Sequence, residues 1–299
     1  MDRPQRYRIP LSTIGRPVDP RFPTNRAILI LVGASFVGSA SVLFAIGRPL
    51  SEALLRALSL AGAVFFAWAL ARETDPDRPG SAFLAAAGAA GGALLLGTPR
   101  FLLLLWVLLG LRVVNRSTGL SPGALDWVAI YGIKLWLGFS AHWTIPLLAL
   151  PTLLFAGLRR FPVALRVGLP LALPAAAIAF GALHAWRFAL PAPASVEFLL
   201  LLGVAVGVVP AIVSYRRVRS VGDRTGVPLE PHRVQWGLGW AVTAGAILTL
   251  SGTGTVGDLA PLWAALAGTG LGWVGETVFR RRRREGIESA NGERKAGSS

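Results

Sequence analysis

The segment Ala71-Arg72-Glu73-Thr74-Asp75-Pro76-Asp77-Arg78-Pro79-Gly80-Ser81-Ala82 joins two runs, 53 to 71 and 82 to 98, that are almost wholly apolar. Charged residues make up only 15% of the chain, so five of them within seven positions call for a reason. Asp75 precedes Pro76, and a residue before proline is driven toward extended backbone. Along extended backbone, residues two apart face the same way. Glu73, Asp75 and Asp77 are therefore expected to converge as an acidic claw flanked by Arg72 and Arg78.

The flanking runs set the class. Hydrophobic residues are 53% of the chain, the mean hydropathy is +0.57, and the apolar runs come near the roughly 20 residues that cross a bilayer. This composition predicts an all-α polytopic transmembrane helix bundle. Beyond the first run, 27 to 46, the expected spans are 53–71, 82–98, 101–114, 124–141, 143–158, 163–186, 195–214, 235–251 and 258–279. That is about ten spans. The count falls to eight or nine if 101–114 or part of 124–158 is re-entrant or strongly tilted. Residues 1–26 read as a basic cytoplasmic tail, 27–279 as the transmembrane domain and 280–299 as a basic, disordered cytoplasmic tail. The basic lead before Ala27 is long for a cleaved signal peptide, so the first run is expected to be an uncleaved helix.

Charge placement orients the bundle. Of 30 basic residues, 25 fall on one side if the spans alternate from a cytoplasmic N-terminus, with Arg48, Arg56, Arg100 and Arg187 opposite. That is the positive-inside bias, and it predicts a multi-pass cell-membrane protein with both termini cytoplasmic. The net charge of +15 is spread over short loops and tails rather than over one folded face, which argues for contact with anionic lipid and against nucleic acid. The absence of cysteine excludes disulfides, thiolate metal sites and a cysteine nucleophile. His142, His184 and His232 lack metal-ligand spacing.

Packing signals are legible as well. Ala264, Gly268 and Gly272 recur every four residues in the last run, a pattern that lets helix backbones approach closely. Glu276 continues that face, either as an interior carboxylate or as a partner of Arg280. The run 82–98 is so poor in large side chains that it must be buried among helices or flank a cavity. Asp126, Lys134 and Glu276 are candidate ionisable groups within spans, where charge is costly and is usually placed for a purpose.

Three polar loops share the predicted cytoplasmic face: the claw; Arg112 to Gly119, with Asn115 and Arg116; and Arg216 to Gly226, with Arg219, Asp223 and Arg224. The last two resemble each other, by chance or as a weak internal repeat. Glu73, Asp75, Asp77 and Asp223 are candidate Mg²⁺ ligands, and Arg72, Arg78, Arg112, Asn115, Arg116, Arg219 and Arg224 candidate phosphate donors. A phosphate-bearing lipid or isoprenyl diphosphate would use both sets. A ring of salt bridges tying helix ends together is the structural alternative.

The order of an acidic Asp-Arg-Pro loop, a basic loop at Arg116 and a Gly-Asp-Arg-x-Gly loop at Asp223 resembles the UbiA family of intramembrane prenyltransferases. The resemblance implies a helical bundle binding an isoprenyl diphosphate through Mg²⁺. Asp75 and Asp77 would stand for the first aspartate motif, Arg116 for the basic loop and Asp223 for the second motif. The chain departs from the family in that Pro76 interrupts the first motif, Arg219 replaces an aspartate of the second, and about two extra spans separate the loops. Two other classes stand beside it. A secondary transporter or permease would use Lys134 and its fellow intramembrane charges, and a non-catalytic membrane subunit or assembly factor would use the surface to hold membrane-protein partners.

Overall fold

The computed structural model describes residues 12–140, 195–250 and 252–296; the expected spans 143–158 and 163–186 lie outside the described residues, as do His142 and His184. The described chain is helical: α1 Pro23–Ala45, α2 Leu50–Thr74, α3 Pro79–Leu96, α4 Phe101–Asn115, α5 Ala124–Ser140, α6 Ser195–Ser214, α7 Pro231–Leu250 and α8 Ala260–Ala296. No strand occurs among these residues, and a lone antiparallel bridge pairs Val221 with Pro228. Among the described residues, four helices are long and apolar enough to cross a membrane: α1, α2, α3 and the Glu197–Ser214 part of α6. The apolar helix α4 is shorter, at 15 residues. Helices α7 and α8 fill the expected spans 235–251 and 258–279, but Gly, Thr and Trp dilute their apolar character and they are not among the four.

Local chemistry sets the helix ends. Pro23 and Pro79 occupy first turns, where the missing N–H costs nothing and the fixed φ suits a helix. Helix α2 stops at Thr74 because Asp75, at φ −139° and ψ 72°, is held off the helical region by Pro76. Helix α4 ends at Arg116, which turns left-handed at φ 50°.

Helix α2 is the centre of the bundle, packed against α1, α3, α4 and α8. Helix α8 also lies along α3 and α6, and α7 along α4. The small-residue face expected on the last span is the contact with α3. A Cβ at Gly268 would lie 2.6 Å from the Ser81 carbonyl oxygen, and one at Gly272 2.0 Å from Ser81 Oγ. Side chains there would push the two backbones apart. On the outside, α1 buries Ile28 alone, and Leu29, Ile30, Val37, Val42 and Phe44 are exposed. A row of exposed large aliphatics suits lipid rather than water.

Two segments expected as tails are structured. Residues 12–22 form a strap against the helix ends, with Ile14 buried. Helix α8 runs on to Ala296 and takes in most of the segment expected as a C-terminal tail; the five successive arginines are good helix formers and no proline follows them.

Candidate functional site

The ends of α2, α4 and α6, the starts of α3, α5 and α7, and the strap meet at one pole of the bundle. The three polar loops singled out in the sequence are brought together there. Asn115 Nδ2 donates to the Glu73 carbonyl at 2.7 Å. The backbone N–H groups of Asp223 and Arg224 donate to Ser117 and Thr118 carbonyls at 3.3 and 3.1 Å. Those of Arg219 and Ser220 donate to the Asp77 carboxylate at 3.0 and 2.8 Å. Gly119, at φ 83°, is required at this junction, since a Cβ would lie 1.9 Å from Thr225 Oγ1. At the opposite pole the Arg100 side chain donates to the Thr253 carbonyl at 2.8 Å and its N–H to the Asp258 carbonyl at 3.1 Å.

Two carboxylate clusters occupy the polar pole, on either side of the α2 terminus. In the first, Glu73 Oε1 accepts from Arg16 Nη1 at 3.0 Å and from Arg112 Nε at 3.2 Å. Arg16 also grips Asp223 with two nitrogens, at 2.5 and 2.9 Å. Burial alone would lower the Arg16 pKa, but Glu73 and Asp223 together hold it above its ordinary value. The other oxygen, Glu73 Oε2, is buried with no hydrogen-bond donor among the described residues. Ser117 approaches that carboxylate without closing a well-formed bond.

The second cluster is saturated. Asp75 is fully buried and accepts from Ser81 Oγ at 2.5 Å, from Arg78 Nη1 at 3.1 Å and from the Tyr215 hydroxyl. Arg78 turns its Nε to Glu276 on α8, and its guanidinium lies 5.6 Å from the Tyr215 ring centroid. Beside them the hydroxyls of Thr74 and Thr269 are 2.9 Å apart. Burial pushes the Asp75 pKa up, and its three donors offset this only in part. Burial and the neighbouring Asp75 push the Tyr215 hydroxyl up as well.

The acidic claw does not form. Glu73 is still helical, so alternation begins only at Asp75, and the three acids serve three different sets of donors. Among the described residues no three Asp, Glu or His side chains converge on a point that a metal could occupy. Glu73, Asp75, Asp77 and Asp223 as arranged do not fit a Mg²⁺ site, because each is engaged by guanidinium, hydroxyl or backbone donors.

The basic candidates fare differently. A cavity of about 620 Å³ opens at this pole, lined among others by Arg16, Arg72, Glu73, Asn115, Ser117, Arg219, Asp223 and Arg224. Arg72 has no carboxylate within ion-pair distance among the described residues, and its Nη1 donates to the Pro76 carbonyl at 3.3 Å. Arg112 lines an adjoining recess. Arg78 lies outside, in the saturated cluster, and Arg116 is the left-handed residue that ends α4. Of the intramembrane candidates, Glu276 pairs with Arg78. Asp126 sits in the first turn of α5 and anchors the strap, accepting from Ser12 Oγ and Thr13 Oγ1, each at 2.6 Å. Lys134 is buried, with Nζ unpartnered among the described residues and 5.4 Å from the Tyr131 ring centroid.

Arg16 and Tyr215 are the residues that sequence reasoning missed. Nothing local separates Arg16 from other tail arginines, since its role arises from a carboxylate 57 positions away. Tyr215 carried a faint signal as one of only three tyrosines, placed just beyond an apolar run. Comparison with known proteins gives no family model, no curated protein and no solved structure that matches this chain.

Proposed function

We propose that this chain is a multi-pass integral membrane protein of eight to ten spans, both termini cytoplasmic, whose polar pole binds a phosphate-bearing lipid headgroup such as an isoprenyl diphosphate. The observation that carries this reading is the cavity lined by Arg72, Arg219 and Arg224 at the end of a bundle whose outer helices expose large aliphatic side chains. Guanidinium groups match phosphate oxygens in geometry and charge. An acyl or prenyl chain attached to that phosphate can leave along the apolar helix faces.

The likeness to UbiA prenyltransferases enters here in a restricted form. The loops that carry it do meet, but their carboxylates do not converge on one point among the described residues. Direct arginine contacts to phosphate, rather than metal bridges, suit the arrangement. The basic C-terminal part of α8 suits an anionic cytoplasmic leaflet. Lys134 favours transport as a second reading, because a buried ammonium with no partner among the described residues is costly unless it serves a passing ion or substrate.

Topology is tested by single-cysteine labelling, which is clean in a chain without native cysteine. Val227→Cys, at the polar pole, should react with an impermeant thiol reagent only from the cytoplasmic side, and Arg48→Cys only from outside. The reverse pattern overturns the orientation, and labelling of both from one side overturns the alternating spans.

A further inference from the structure

Beneath the strap, next to the open cavity, lies a recess of about 60 Å³ walled by Arg16, Trp68, Arg72, Glu73, Arg112 and Asp223. At roughly 30 Å³ per water it has room for about two waters, so it admits one small tetrahedral group but not an organic headgroup. Trp68 is 6% exposed, and its Nε1–H is buried with no acceptor among the described residues. A buried indole N–H normally finds a partner, and leaving such a donor unmade is costly. Three guanidinium groups face two carboxylates, so the wall carries an excess of positive charge. Arg72 contributes a guanidinium that pairs with no carboxylate among the described residues and donates to the Pro76 carbonyl.

We infer that this recess is an oxyanion subsite, in which the Trp68 indole N–H and the Arg72 guanidinium hold a phosphate or sulfate group, with Arg16 and Arg112 setting the surrounding charge. The unsatisfied donor, a guanidinium with no carboxylate partner among the described residues and the size of the space point to the same occupant. A neutral ligand would leave the charge unanswered, and a cation would face three arginines. The inference deepens the headgroup reading and rests on it in one respect: the tetrahedral group that enters the recess is either free inorganic phosphate or the terminal phosphate of the lipid held in the larger cavity.

The test is a titration of the full-length protein in detergent with inorganic phosphate at constant ionic strength, with chloride as control, followed by tryptophan emission and by thermal stability. Phosphate should change the emission and raise the midpoint where chloride does not. Trp68→Phe should remove the emission change, and Arg72→Gln should weaken binding about tenfold or more, the loss of a charge-assisted hydrogen bond. Arg72→Lys, which keeps the charge, should recover part of that loss. No response to phosphate in the wild type, or an identical response in Trp68→Phe and Arg72→Gln, overturns the subsite.

A parallel titration with a short-chain prenyl diphosphate separates this from the broader reading. Binding that depends on Arg219 and Arg224 but ignores Trp68 and Arg72 leaves the headgroup site standing and overturns the recess. Phosphate binding that depends on Trp68 and Arg72, without binding of the lipid analogue, upholds the recess and overturns the headgroup reading.

Discussion

Glu73 and Asp75 are two residues apart, yet they sit in opposite kinds of surroundings. Asp75 is enclosed by Ser81, Arg78 and Tyr215, with both carboxylate oxygens bonded, and it fastens the α2–α3 connection to the end of α6 and, through Arg78 and Glu276, to α8. Glu73 shares one oxygen between Arg16 and Arg112, has no donor to the other among the described residues, and borders two cavities. The difference teaches that clustered charge at helix ends has two uses. A saturated cluster is a fastening, because nothing remains for a ligand to bond. An unsaturated one retains binding capacity, because the Trp68 N–H beside it is a buried donor, unpaired among the described residues, that an oxyanion can satisfy.

The largest effect should come from breaking the fastening. Asp75→Ala leaves Arg78 and Tyr215 facing an empty buried site and should destabilise the protein by about 3 kcal/mol or more, the usual cost of removing one partner of a buried pair. Denaturation in detergent measures this. A loss under about 1 kcal/mol would erase the distinction between the two clusters.

A smaller effect tests how the Glu73 side is held. Gly237 on α7 gives Asn115 its room, since a Cβ there would lie 2.0 Å from Asn115 Oδ1. Gly237→Ala should displace Asn115 from the Glu73 carbonyl and cost about 1–3 kcal/mol, the range for overpacking. Phosphate binding should weaken with it. Unchanged stability would mean that the α4–α7 contact is loose.

The smallest effect is a pH dependence carried by the Asp75 carboxylate. The Asp75 pKa is raised in the folded state, so the stability it contributes is fully present below the unfolded carboxylate value of about 4 and is lost as pH rises through the folded value. Compared with Asp75→Asn, the wild type should therefore lose ground as pH rises from about 4 toward neutrality. A gap between the two that does not change with pH contradicts the assignment.

Much of this pole was legible in the sequence. Three polar loops between apolar runs, all expected on one face, should gather where helix ends meet, and they do. The Ala264-Gly268-Gly272 face was legible for the same reason, since a four-residue period of small side chains has meaning on any helix. What sequence left hidden was the division of labour among the charges. Whether Asp75 faces Tyr215 or Glu73 is decided by one residue of helix more or less at Thr74, and an extended reading from Asp75 backward gave a claw that the helix does not permit. Arg16 was hidden because a contact between an irregular strap and a distant helix end has no period to read.

The central claim is that the polar pole binds a phosphate-bearing lipid through arginine rather than through metal. It is tested most directly by the thermal stability of the purified protein with a long-chain isoprenyl diphosphate, in EDTA and in Mg²⁺, beside an Arg72→Gln, Arg219→Gln variant. A ligand that binds only the folded state must raise its apparent stability. The account predicts a rise in the wild type that persists in EDTA and disappears in the variant. No rise in the wild type, or a rise that requires Mg²⁺ and survives in the variant, would contradict it.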